Sequence, residues 1–76
     1  MNARVESYAG STNPEHPRAI DWEGTHYTVI DILHRRREPH GIGFLVRCMP
    51  GDVIFDLFYL FEEERWQILP KGSAPP

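Results

Sequence analysis

The sequence predicts an all-β domain: a small five-stranded antiparallel meander, rolled into an SH3-like barrel or a strongly bent sheet. Three observations predict it. Between residues 27 and 68 apolar side chains recur with a period of two, the spacing of a pleated strand. Glycine- and proline-bearing turns punctuate that pattern at Glu23-Gly24, Pro39-His40-Gly41 and Pro50-Gly51-Asp52. Finally, Trp22, Tyr27, Phe44, Phe55, Phe58, Tyr59, Phe61 and Trp66 all lie between residues 17 and 70, and only Tyr8 lies outside, so the apolar mass is concentrated in one short segment.

Each element has a local reason. Residues 18–22 make the first strand, opened by Pro17 and closed at Glu23-Gly24, where glycine accepts positive φ without steric cost. The second covers residues 25–33, mostly β-branched or aromatic, with Tyr27 and Val29 inward and His26, Thr28 and Ile30 outward. Asp31 interrupts that parity, which predicts a bulge or bend that hands the inward role to Ile32. The stretch His34-Arg35-Arg36-Arg37-Glu38-Pro39-His40-Gly41 reads as a solvated basic loop. Residues 42–49 then alternate cleanly, with Ile42, Phe44, Val46 and Cys48 on one face and Gly43, Leu45, Arg47 and Met49 on the other.

Pro50-Gly51-Asp52 predicts a type II turn, since proline presets φ and glycine takes the positive value that follows. The strand after it, residues 53–60, places Val53, Phe55, Leu57 and Tyr59 inside and Ile54, Asp56, Phe58 and Leu60 outside. A helix capped by Asp52 is the rival reading there, but bulky aromatic and β-branched residues directly after Pro-Gly favour a hairpin. Glu62-Glu63-Glu64 forms the next turn, and residues 65–69 make a last strand with Trp66 and Ile68 inward, ended by Pro70.

A chain of 76 residues holds one domain at most. Residues 17–70 are expected to form it, with residues 1–16 a disordered N-terminal tail and residues 71–76 a flexible C-terminal tail, because both ends are polar and turn-prone. Cys48 is the only cysteine, so no intrachain disulfide forms, and a small domain that folds without one fits a reducing cytoplasm. No basic-then-apolar leader opens the chain, and the longest apolar run is interrupted by Asp56, so a cytoplasmic location is expected. The net charge of −3 argues against a domain dedicated to nucleic acid.

Pro17, Trp22-x-Gly24, Tyr27-x-Val29, Arg36-Arg37-Glu38, Val46-Arg47, Val53-x-Phe55-x-Leu57 and Arg65-Trp66-x-Ile68 form a string that resembles a family of small bacterial domains of unknown function, the one numbered 6504. That family is similar in turn to the C-terminal module of some inactive Y-family DNA-polymerase homologues. The resemblance spans residues 17–70; His34-Arg35 stands where a tryptophan often follows the second strand, and the Arg65-Trp66 segment lacks a second aromatic. It implies a fold and a DNA-damage context, not an activity.

Two candidate surfaces follow from the residues. Leu45, Ile54, Phe58 and Leu60 fall on the parity opposite the core, with Ile30 and Met49 beside them, an apolar excess that points to a protein partner or a second copy of the chain. The alternative is a nucleic-acid-binding accessory domain using Arg35, Arg36, Arg37 and Arg47, whose planar guanidinium forks suit phosphate. Three neutralised phosphates would give a log-affinity against log-salt slope of only about −2.7 on duplex DNA, and the bland reading pairs these arginines with Glu38 and other carboxylates. No catalytic set, metal site or cofactor is expected. His26 and His34 lie about 26 Å apart along one strand at ~3.3 Å per residue, and no cysteine or carboxylate spacing completes a tetrahedral set around His34 and His40. Cys48 falls on the inward parity, as a small core residue rather than a nucleophile.

Overall fold

In the computed structural model, which describes residues 3–9 and 14–73, the described chain contains strands and turns and no helix. The strands are β1 (Arg4–Ala9), β2 (Pro14–Trp22), β3 (Thr25–Glu38), β4 (Gly41–Met49), β5 (Val53–Leu60) and β6 (Arg65–Ser73). They lie in chain order in one antiparallel sheet that curls into an open half-barrel. The strongly bent meander is therefore observed, with one strand more than the alternation indicates.

That extra strand is β1. It falls within the stretch expected to be a tail and pairs with β2 from Arg4 opposite Asp21 to Ala9 opposite Pro14. Its pattern is too polar to announce a strand, and it is held by the hydrogen-bonding edge that β2 offers and by Val5, which packs against the core. Residues 1, 2, 10–13 and 74–76 of the expected tails lie outside the described residues.

The second difference is the basic segment. β3 runs on to Glu38, so His34–Glu38 is strand rather than loop, and only Pro39-His40 turns the chain into β4. β4 supplies the reason: its N-terminal half offers partners all the way, from Leu45 opposite His34 to Gly41 opposite Glu38. The bulge expected at Asp31 is present, since Val29 faces Cys48 and Asp31 faces Arg47, which leaves Ile30 as the extra residue. A second bulge sets Leu33 between Ile32, opposite Val46, and His34, opposite Leu45.

β2 pairs with β3 only from Trp22 opposite Thr25 to Ala19 opposite Thr28. Pro17, which has no N–H to donate, lies just beyond, and β2 diverges there to follow β1. The Pro50 turn also departs from expectation. Met49–Pro50 is cis, and Gly51 and Asp52 both have positive φ, so the connection is not type II, yet the hairpin register is as expected, with Cys48 opposite Val53. The acidic turn closes through Glu64 N–H donating to the Leu60 carbonyl at 2.8 Å.

One face of the sheet is the core. Ile20, Ile42, Phe44, Val46, Cys48, Phe55 and Leu57 are buried there, ringed by half-exposed Val5, Trp22, Tyr27, Val29, Val53, Tyr59, Phe61, Trp66 and Ile68. The strict alternation of β4 and β5 accounts for most of this set. Trp22 and Tyr27 meet Phe55 edge to face at 6.2 and 5.1 Å, as the aromatic quadrupole prefers. β2 also reaches over to contact β4, so the curl makes the sheet its own lid at that end.

The other face is thinned by two glycines. A Cβ at Gly43 would lie 2.6 Å from Arg36 Cζ, and one at Gly41 would collide with the Phe58 ring and the Tyr59 carbonyl. Gly41→Ala is therefore expected to lower unfolding free energy by about 1–3 kcal/mol, as overpacking against backbone does. Gly43→Ala should cost less, because the far end of an arginine can move aside. Urea denaturation of the two variants checks the order, and an equal or reversed ranking would refute this account of the face.

Candidate functional site

Consecutive residues of a strand point to opposite faces, so an arginine triplet inside β3 cannot form one patch. The structure divides it. Arg36 points to the convex face, where its guanidinium lies over the Phe58 ring at 5.5 Å and donates to Glu38 at 3.3 Å and to Asp56 at 3.2 Å. Arg47, also on that face, donates through Nε and Nη2 to both oxygens of Asp52. These two expected phosphate ligands are thus committed to carboxylates.

Arg35 and Arg37 lie on the concave side and behave differently. Arg35 sits over the Phe44 ring at 5.9 Å and Arg37 over Phe61 at 5.8 Å. Both are exposed, and no carboxylate among the described residues pairs with either. Between them runs a chain of rings: Phe61 to Tyr59 at 6.2 Å, Tyr59 to Trp66 at 5.2 Å and Trp66 to Phe44 at 5.9 Å. Phe44 is fully buried, while Tyr59, Phe61 and Trp66 are half-exposed. The result is an aromatic row with a guanidinium at each end, built from the end of β3, the start of β4, the end of β5 with the turn after it, and the start of β6.

The four residues expected as an apolar anchor do share the convex face. Along β4 and β5, Leu45 faces Asp56, Arg47 faces Ile54, Gly43 faces Phe58 and Gly41 faces Leu60. All four are half-buried. Phe58 folds over Gly41, and His40 packs on it at 5.6 Å. The more exposed apolar groups on this face are Met49 and Leu69, at 43 and 55 % exposure. Alternation on the last strand flags the inward Trp66 and Ile68 and passes over Leu69, whose register opposite Asp56 places it in line with Leu45. Arg36, Glu38, Asp56, Phe58, Gln67 and Leu69 line a shallow depression there.

Elsewhere, Glu6, Asp21 and His26 bring one ligand atom each within 4.8 Å of one another. Arg4 already bridges the two carboxylates at 3.6 and 3.9 Å, and His26 Nδ1 donates to Asp21 at 2.6 Å, so the trio is an exposed ion-pair network. Cys48 is fully buried in the core cluster, opposite Val29 on β3 and Val53 on β5, and desolvation pushes its thiol up from 9.0 to about 11.

In comparisons with protein families, with curated proteins and with solved structures, nothing matches this chain.

Two titrations check this geometry. The hydrogen bond from Arg47, helped by its charge and opposed by desolvation, holds the Asp52 carboxyl below the usual range. A depressed folded value favours the fold above the ordinary carboxylate range, and that contribution is lost as pH falls through the depressed value. In Arg47→Gln, the Asp52 carbon resonance is expected to titrate at the ordinary carboxylate value; an unchanged midpoint would exclude the pair as the cause. For Cys48, the raised thiol keeps the folded state protonated while the unfolded chain ionises, so stability falls as pH rises from 9.0 towards about 11. Native protein at pH 8 is expected to react with a thiol reagent at least about 100-fold more slowly than unfolded protein; comparable rates would contradict the burial.

Proposed function

We propose that this chain is a non-enzymatic interaction module that binds protein through its convex face, a second copy of itself in the first instance. The observation that carries the proposal is a one-layer sheet with large apolar side chains on both faces. The curl shelters the centre of the concave set, whereas on the convex face Leu45, Ile54, Phe58 and Leu60 stay half-buried, with Arg36 and His40 beside the Phe58 ring, and Met49 and Leu69 are exposed. An apolar patch on a small sheet is a recognised mark of a contact surface.

Charge supports a like partner. Arg36 and Arg47 are balanced on that face by Glu38, Asp52 and Asp56, so two convex faces meet without a single-sign field between them. The reading as a non-enzyme rests on the lone thiol being buried and protonated at neutral pH. A reducing cytoplasm suits that thiol. The resemblance to the family numbered 6504 rests on the residue string alone and adds no activity to this reading.

Sedimentation equilibrium tests it. The weight-average mass is expected to rise above the 8.8 kDa of one chain with concentration. Leu69→Asp combined with Met49→Asp, two substitutions at exposed positions, should weaken association at least about ten-fold, or 1.4 kcal/mol. A strict monomer up to about 1 mM, where even a contact of about 4 kcal/mol would register, overturns self-association through this face.

A further inference from the structure

The concave mouth carries a feature that protein contact through the convex face does not use. Arg35 and Arg37 are the two members of the triplet without a carboxylate partner among the described residues, and each holds its guanidinium over an aromatic ring, at 5.9 and 5.8 Å from the ring centre. We propose that the row Phe61–Tyr59–Trp66–Phe44, bracketed by Arg37 and Arg35, is a binding site for a short stretch of single-stranded nucleic acid.

The chemistry points to that ligand over other anions. A guanidinium drawn over a ring by cation–π attraction is positioned in advance, while its N–H fork, not engaged by a carboxylate, stays free for a phosphate. Half-exposed Tyr59, Phe61 and Trp66 add π-faces of the kind on which unpaired bases stack irrespective of sequence. Arg35 and Arg37 leave one strand two residues apart, their backbones roughly 6.6 Å apart along its axis, so both side chains face the same row from its border. A duplex hides its base faces and would meet only the two charges. The acidic turn Glu62–Glu63–Glu64 borders the row beside Phe61 and confines an anionic strand to a few nucleotides, consistent with the net charge of −3. Because this surface lies on the opposite side of the sheet from Leu45 and Leu69, the proposal stands or falls independently of convex-face association.

The test is a titration of the full chain with oligothymidylate, read by Trp66 fluorescence in a Trp22→Phe background and by anisotropy of labelled oligonucleotide. Saturable quenching of Trp66 is expected, with a log-affinity against log-salt slope of about −1.4 for two phosphates on a single strand. Arg35→Gln with Arg37→Gln should weaken binding by ten-fold or more. Arg4→Gln with Lys71→Gln, the same change in net charge at exposed sites elsewhere, should leave it within two-fold. Arg35→Lys with Arg37→Lys keeps the charge and loses the planar fork, and is expected to weaken binding several-fold. Should the glutamine variant fail to fold, amide and aromatic chemical-shift changes in wild type must map to Tyr59, Phe61 and Trp66. Four results overturn the proposal: no quenching at low salt, equal loss in the Arg4/Lys71 control, competition by duplex or oligoglutamate as strong as by single strand, or shift changes confined to the convex face.

Discussion

A single sheet with no second layer has to shelter its own apolar side, and almost every other property of this molecule follows from how it does so. In most β folds the inner face of one sheet is covered by another sheet or a helix. Here the cover is supplied by curvature: β1 and β2 bend back so that Ile20 and Trp22 reach Phe55, and β2 touches β4. The bend closes one end and leaves the other, at Tyr59, Phe61 and Trp66, half-open.

The point of divergence at Pro17 decides which end is which. From Thr25 to Tyr27 the third strand pairs only with β2, Thr28 has partners on both sides, and beyond it only β4 remains. From there β3 runs along a free edge, through two bulges, to the arginines. Because alternation resumes after each bulge in step with β4, Arg35 and Arg37 share the concave side and Arg36 takes the convex one. One stretch of three identical residues thereby divides into an outer member paired with carboxylates and two inner members whose guanidinium groups lie over rings, with different chemistry on each side.

Much of this was legible in the residues. Phe44, Val46, Cys48, Phe55 and Leu57 could be placed by parity alone, because β4 and β5 are regular and flanked on both sides, and the Asp31 bulge followed from a charge landing on an inward position. What parity could not supply was pairing that depends on a neighbour rather than on the segment itself. β1 has little pattern of its own, and His34–Glu38 looks like loop because guanidinium groups look solvent-bound until Phe44, Phe58 and Phe61 are seen beneath them. The candidate surfaces were legible to the same degree: Leu45, Ile54, Phe58 and Leu60 fell on one face as alternation requires, whereas the division of the arginines required knowing that they lie on a strand.

An open half-barrel has unsealed borders, and unsealed borders invite strands of other chains to add on, the first step towards runaway aggregation. Each border here is spoiled for that purpose. β3 breaks its hydrogen-bonding rhythm at Ile30 and Leu33 and then bristles with cations; β6 carries Pro70 and a register slip around Lys71; β1 slips against β2 at Ser7 and ends opposite Pro14. Indefinite edge-to-edge growth is thereby discouraged, and whatever company this small sheet keeps is directed to its two faces.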